Sequence, residues 1–261
     1  MITKRTDREM IDYLLAAEQE VREVHKLTDQ NPELTIKEAY ELQKKLIDRK
    51  IADGARRIGV KLGLTSKAKQ QMMGINEAIY GYLLDNMLSV EWEPVDYRRF
   101  IHPKAEPEIA FLMGEDLQGQ DVTADDVLRA TKYVAPAIEI IDSRYKDFKF
   151  TLVDVVADNC SSAQFIVGSK WVSPDSIDLA EIGMVMSKNG EVATVGAGAA
   201  VLGNPAQAVA WAVNKLGERG EGLKKGDIVL SGALSEAVAF EAGDSCLAQF
   251  DGLGSVSFFC K

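Results

Sequence analysis

Histidine is nearly absent: His25 and His102 are the only two in 261 residues. A histidine-rich metal centre is thereby excluded, and any metal must be held by carboxylates. Cysteine is scarce too. Cys160, Cys246 and Cys260 are odd in number and far apart, so no zinc spacing exists and a disulfide framework is not expected. Buried free thiols in a reducing compartment are expected instead. No apolar run approaches the roughly 18 to 20 residues of a membrane span. The start, Met1-Ile2-Thr3-Lys4-Arg5-Thr6-Asp7, is polar and carries no signal-peptide pattern. A soluble, cytoplasmic protein is the expectation. Positive charge is in deficit, with 30 Lys and Arg against 40 Asp and Glu, a net charge of −10. That balance argues against nucleic acid as a partner, since phosphate contacts need clustered cations. A small anionic substrate needs only one local positive site and stays open. What remains is an ordinary globular composition, 46% hydrophobic with 21 Gly and 7 Pro, which excludes collagen-like, coiled-coil and disordered chains.

Thr6-Asp7-Arg8-Glu9 forms a capping-box pattern ahead of Ile11, Leu14, Leu15, Val21 and Val24, which fall near one helical stripe. Thr35-Ile36-Lys37-Glu38 repeats the signal before Ala39, Leu42, Leu46, Ile47 and Ile51, and Asp53-Gly54 ends that run. Residues 6–54 therefore predict two amphipathic helices joined by a polar loop containing Asn31-Pro32. After Gly54 the character changes. Short runs rich in Val and Ile predict strands near 58–64, 79–84, 106–113, 133–141, 163–167, 183–187, 191–195, 227–231, 245–250 and 255–259. Asn189-Gly190 is a hairpin turn between two of them. Helices are expected near 124–131 and 205–217, the second with Asn204 as N-cap and Pro205 in its first turn. The fold class is mixed α/β: a helical N-terminal segment, residues 1–75, and a strand-rich core, residues 76–261, to which the Lys61 strand also contributes. The helical segment is expected to act as a lid or a subunit contact.

Three apolar strands carry an ionisable residue where a core strand should have none. They are Ile58-Gly59-Val60-Lys61-Leu62-Gly63-Leu64, Glu106-Pro107-Glu108-Ile109-Ala110-Phe111-Leu112 and Tyr133-Val134-Ala135-Pro136-Ala137-Ile138-Glu139-Ile140-Ile141. Alternation puts Glu106 and Glu108 on one face, continued by Ala110 and Leu112. Glu139 is the only charge on its face. Burying an ionised carboxylate costs several kcal/mol unless it is paired or ligates a metal. Three together repel one another and raise their pKa values. A hard divalent cation, Mg²⁺ or Mn²⁺, removes both problems. Each residue has a plainer reading. Glu-x-Glu is ordinarily a solvated strand edge, and Pro107 favours an edge as well. Glu139 pairs with an arginine such as Arg144 in the plain reading, and Lys61 reaches water along its stem.

Other segments carry less. Gly196-Ala197-Gly198-Ala199-Ala200-Val201-Leu202-Gly203 begins like a dinucleotide fingerprint, but Val201 stands where the third glycine belongs, so NAD binding is rejected. Close backbone approach or a tight turn before a helix fits it, with amide donors for an anion beyond Asn204-Pro205. Asp158-Asn159-Cys160-Ser161-Ser162 reads as a polar or substrate-binding loop. Neither Ser161 nor Cys160 has a histidine partner in sequence, which argues against a nucleophilic triad.

Taken with His102-Pro103-Lys104-Ala105-Glu106-Pro107-Glu108-Ile109-Ala110-Phe111 and Glu139-Ile140-Ile141-Asp142-Ser143-Arg144-Tyr145, the segments at 59–67 and 196–203 resemble the hydratase/decarboxylase branch of the fumarylacetoacetate hydrolase-like superfamily. The resemblance runs over nearly the whole chain. It implies a fumarylacetoacetase C-terminal-like mixed-β core, metal ligands at Glu106, Glu108 and Glu139, and an active-site lysine at Lys61. It also implies a small unsaturated 2-oxo dicarboxylic acid as substrate, a homo-oligomer, and association with a homologous hydratase. Hydratases of the branch usually carry Asp before an aromatic-Gly pair, whereas Ile79 precedes Tyr80-Gly81 here. The segment 142–150 is similar to that of the 2-oxo-3-hexenedioate decarboxylases. Decarboxylation is therefore expected, with Ser161 and Lys67 as substrate-carboxylate contacts and Ile79 lining the site of the departing group. Hydration of 2-hydroxypenta-2,4-dienoate and a non-catalytic partner role are the alternatives.

Overall fold

The computed structural model describes residues 4–67, 70–71 and 75–261; Met1, Ile2 and Thr3 of the polar start lie outside them. Capping boxes open the two N-terminal helices. Thr6 caps α1 (Asp7–Gln19) with Glu9, and Thr35 caps α2 (Ile36–Ala52) with Glu38. Helix α1 is shorter than its apolar stripe suggested. Val21 takes a left-handed backbone, and the Val24 main chain bonds to Arg144 and Lys146 instead of continuing a helix. The apolar residue at 24 thus reflects burial against the 144–146 segment.

The strands fall where the Val- and Ile-rich runs predict them. The larger sheet contains β1 (Arg57–Gly63), β2 (Ile79–Leu84), β3 (Leu88–Ser89), β4 (Lys104–Met113), β5 (Thr131–Ile141), β6 (Ser162–Val167), β9 (Ile228–Leu230) and β10 (Val238–Ala239). Its order is β2-β1-β9-β4-β5-β6-β3, with β10 on β4. Most pairs are antiparallel; β1 with β9 and β3 with β6 are parallel. A second sheet holds β7 (Gly183–Lys188), β8 (Glu191–Ala197), β11 (Ser245–Phe250) and β12 (Gly254–Phe259), in the order β12-β11-β7-β8. Asn189 and Gly190 form the β7–β8 turn with positive φ at both positions, which is what this hairpin needs.

Helices α3 (Ala124–Ala130), α4 (Leu152–Ala157) and α5 (Pro205–Gly217) flank the sheets. The core runs between the sheets and under α2, α4 and α5, with Val60, Leu62, Ile109, Phe111, Ile138, Ile140, Phe165 and Val229 fully buried. Among the described residues, no helix is long and apolar enough to cross a membrane. The glycine-rich segment 196–203 ends β8 and leads into α5. Gly198 lies so close to Leu179 that a Cβ would stand 1.7 Å from its carbonyl oxygen, which makes glycine obligatory there.

Candidate active site

β4 and β5 lie side by side in the interior of the sheet, and their register pairs Glu106 directly with Glu139. Glu108 follows two residues on, opposite Ala137, so alternation turns all three carboxylates toward one face. One oxygen from each lies within 4.8 Å of the other two. Glu108 and Glu139 are fully buried. The solvated-edge reading of Glu106-Pro107-Glu108 therefore fails. Pro107 is tolerated on an interior strand because the side it turns to the neighbour meets a loop, from which Leu234 N–H donates to the Pro107 carbonyl. Its missing N–H leaves no gap in a ladder.

Lys61 comes from β1, two strands away across β9. Its side chain is 2% exposed, and its Nζ stands 2.8 Å from Glu139 Oε2. It does not reach water along its stem, and Glu139 does not pair with Arg144. Arg144 is taken by Asp158, Nε to Oδ1 at 2.6 Å. Ser162 Oγ donates to Glu139 Oε1 at 2.8 Å, and Gly232 N–H donates to Glu108 Oε2 at 2.7 Å. Glu108 Oε1 has no hydrogen-bond partner, although it is buried. Burial raises Glu108 well above the ordinary carboxylate range, and the nearby charge of Glu139 adds to the effect. Burial likewise lifts Glu139, against the pull of Lys61, to about 7. For Lys61, burial works against the charge, but Glu139, Glu106 and Glu108 outweigh it and its pKa is raised. Lys61 therefore keeps its proton while the carboxylates compete for too little positive charge. A divalent cation fits this donor set: three carboxylates on one face, one buried oxygen without a partner and, among the described residues, one ammonium beside them.

A cavity of about 90 Å³ opens beside the cluster. Its lining includes the polar Lys61, Glu106, Cys160 and Ser161 and the apolar Leu64, Ile79, Ile141, Phe148, Phe150 and Val155. Of the residues singled out from sequence, Lys61, Glu106, Ser161 and Ile79 line this space, with Glu108 and Glu139 behind them. Lys67 is exposed and is not among the lining residues. Ser161 Oγ is buried without a partner, so it is available to a ligand. Burial pushes the Cys160 thiol up to about 12, which keeps it neutral and unsuited to attack. A larger cleft of about 570 Å³ lies between α2 and α5. Two of its cations are paired with its own carboxylates, Lys215 with Glu77 and Arg219 with Glu41, and it lacks the carboxylate cluster.

Sequence reasoning missed Gly232 and Ser162. Gly232 is 124 residues from Glu108 and carries no side chain to notice. Its φ of +103° and its contact with Thr65, where a Cβ would meet Oγ1 at 2.2 Å, give the physical reason for glycine. Ser162 stands next to Ser161 in the polar loop, but its role depends on the β5–β6 pairing.

The family model described as fumarylacetoacetate (FAA) hydrolase C-terminal matches residues 58–258. The chain is 43% identical over 248 residues to 4-oxalocrotonate decarboxylase of Pseudomonas putida, covering 95% of this chain and 94% of that one. It is also 43% identical over 246 residues to 2-hydroxyhexa-2,4-dienoate hydratase of Comamonas testosteroni, covering 94% and 93%. A solved structure of 4-oxalocrotonate decarboxylase from Pseudomonas putida G7, complexed with magnesium and adipate, superposes with a TM-score of 0.95 at 41% identity, covering 99% of this chain and all of that one. The family model spans the strands that carry the carboxylates and Lys61, and the relatives match over most of the chain: the chain belongs to the fumarylacetoacetate hydrolase family.

Proposed function

We propose that the protein decarboxylates 2-oxo-3-hexenedioate (4-oxalocrotonate) to 2-hydroxypenta-2,4-dienoate, as a divalent-metal-dependent carbon–carbon lyase of aromatic meta-cleavage catabolism. The observation that carries this reading is the cavity beside the carboxylate cluster, whose lining combines charged and apolar side chains. Its lining brings Lys61, Glu106 and the unpaired Ser161 hydroxyl together with the apolar Ile79, Phe148 and Phe150. Glu106, Glu108 and Glu139 would hold the metal. When bound, Mg²⁺ or Mn²⁺ supplies Lewis-acid polarisation of a ketone oxygen.

The carboxylate to be lost is vinylogous to the 2-keto group. Its C–C bond breaks, the electron pair moves through the alkene toward the 2-oxygen, and CO₂ departs. Lys61 places its ammonium where that negative charge develops and holds a proton at Nζ for the 2-oxygen of the dienolate. Ser161 donates to the retained carboxylate, and Lys67 is proposed as a further carboxylate contact. The apolar wall around Ile79 desolvates the leaving carboxylate more than the delocalised transition state. Ile79 also offers no acid to deliver a proton to carbon, which separates this site from a hydration site. A Schiff base at Lys61 is ranked lower, because its proton is held by Glu139.

Hydration of 2-hydroxypenta-2,4-dienoate is the second reading, and the equal identity to a dienoate hydratase supports it. An ultraviolet assay with each substrate, in Mg²⁺ and in EDTA, separates the two. CO₂ release from 2-oxo-3-hexenedioate, abolished by EDTA, is expected. Consumption of the dienoate alone makes the protein a hydratase, and turnover of neither favours a partner subunit. A homo-oligomer and association with a homologous hydratase belong to the same reading. The outward valines Val192 and Val195 and the half-exposed Phe259 of the smaller sheet support association, and sedimentation velocity tests it.

A further inference from the structure

We infer that Asn159 is a positioning residue for this reaction, clamping the turn Asn159-Cys160-Ser161 to β2 so that the Cys160 carbonyl meets Lys61 and the Ser161 hydroxyl faces the cavity. The inference rests on the proposed reaction at the same site. All three residues of the turn are left-handed, with φ of 46°, 53° and 57°. Asparagine tolerates that region; cysteine and serine seldom enter it. Three in a row persist only when the surroundings dictate them.

Asn159 supplies that constraint. Its Oδ1 accepts from Tyr82 N–H at 2.8 Å, and its Nδ2 donates to the Tyr82 carbonyl at 2.9 Å. One side chain thus satisfies both main-chain groups of a β2 residue, as a neighbouring strand would. The fit requires Gly81. A Cβ there would stand 2.8 Å from the Asn159 carbonyl oxygen and 2.9 Å from Oδ1. Gly81 is also the cross-strand partner of Lys61, so the clamp sits directly beside the lysine.

The rest of the turn serves the site. Lys61 Nζ donates to the Cys160 carbonyl at 3.3 Å. Cys160 Sγ donates to the Tyr80 carbonyl at 3.1 Å. Asp142 N–H donates to the Ser161 carbonyl at 2.8 Å, which leaves Ser161 Oγ as the buried group without a partner. None of these bonds runs to Glu106 or Glu108. Loosening the turn should therefore misplace Lys61 and Ser161 first, and reach the metal ligands only through Glu139, which Lys61 and Ser162 contact.

Two variants test this. Asn159→Gly permits the left-handed backbone but removes both bonds; Asn159→Asp keeps the acceptor for Tyr82 N–H and loses the donor. Thr35→Ala, at the cap of α2, serves as a control for destabilisation outside the site. The readouts are kcat and KM on 2-oxo-3-hexenedioate, Mg²⁺ affinity by calorimetry, and Tm. The expected order of kcat is wild type, then Asp, then Gly, with Gly lower by at least about tenfold, an ordinary cost for a misplaced catalytic group. Mg²⁺ affinity should fall by less than kcat does, because the bonds of the Asn159 clamp do not run to Glu106 or Glu108. If Asn159→Gly does not fold, Asn159→Asp carries the test. Unchanged kcat in folded variants overturns the inference, and so does a loss that Thr35→Ala reproduces at equal Tm. A wild-type protein inactive on 2-oxo-3-hexenedioate fails the functional reading alone. The turn is then read by the affinity for adipate in Mg²⁺, where about tenfold weakening in Asn159→Gly is expected and no change overturns it.

Discussion

Lys61 stays charged in a buried position because three carboxylates surround it, and that charge is what a developing enolate requires. Lys61→Met removes the ammonium without removing the metal ligands. Turnover should fall about 10²- to 10⁴-fold, the usual span for a lost general acid, while calorimetry still detects Mg²⁺ binding. Loss of both together would make Lys61 a structural counter-charge. Ile79 tests the choice of chemistry. Ile79→Asp places a carboxyl in the apolar wall, and decarboxylation should drop by about tenfold or more, equivalent to about 1.4 kcal/mol of barrier. Unchanged CO₂ release in a product assay would remove Ile79 from the mechanism. The charged members of this site were legible because each interrupts an apolar strand, a pattern that burial energetics makes conspicuous. The Gly232 amide and the Asn159 clamp were not legible. Their partners lie 124 and 77 residues away, and a hydrogen bond to main chain leaves no periodic trace.

Secondary structure was readable wherever an element carried both a boundary signal and a long enough periodic run. α2 and α5 have caps and several apolar turns, and both appear with their expected limits. α4 has a capping box at Thr151 and Asp154 but only six residues, too few for a helical period. β3 and β10 have two residues each and exist only through their partners. The caps themselves make a pH prediction. In α2, Thr35 Oγ1 accepts from Glu38 N–H at 3.3 Å, and Glu38 Oε2 accepts from Thr35 N–H at 2.8 Å. The Thr35 hydrogen bonds lower the Glu38 pKa, and those from Thr6 lower that of Glu9. A carboxylate whose pKa is lower when folded contributes stability above its unfolded value, near 4.3. That contribution is lost as pH falls through the folded value. Thr35→Ala should cost about 1 kcal/mol at neutral pH, a typical N-cap loss. The deficit should shrink as the solution is acidified below about pH 4. Urea midpoints at pH 7 and pH 3 check this, and an equal deficit at both would show that the Thr35 hydroxyl's contribution does not depend on the charge of Glu38.

At the scale of the molecule, the carboxylate cluster is where distant parts of the chain meet. β4 and β5 bring the ligands, β1 brings Lys61, and the turn after β9 brings the Gly232 amide. Without a cation this junction is a source of instability: Glu108 Oε1 lacks a partner and Glu139 repels its neighbour. Binding of Mg²⁺ to the folded state alone should therefore raise Tm. At a concentration about 100 times Kd the gain is about 2.7 kcal/mol, or roughly 5–10 °C for a chain of this size. Glu108→Gln separates the structural cost from the metal. It keeps the shape and an acceptor for the Gly232 amide, and it removes one of three crowded charges. In EDTA its Tm should equal or exceed that of the wild type, because like-charge repulsion and carboxylate desolvation both fall. In Mg²⁺ its Tm should barely move. A variant less stable than wild type in EDTA would mean that Glu108 is a structural partner first. A variant with an undiminished Mg²⁺ response would place the ion elsewhere. The expected pair of results, higher stability without metal and no response to it, fits only a cluster whose stored repulsion the cation relieves.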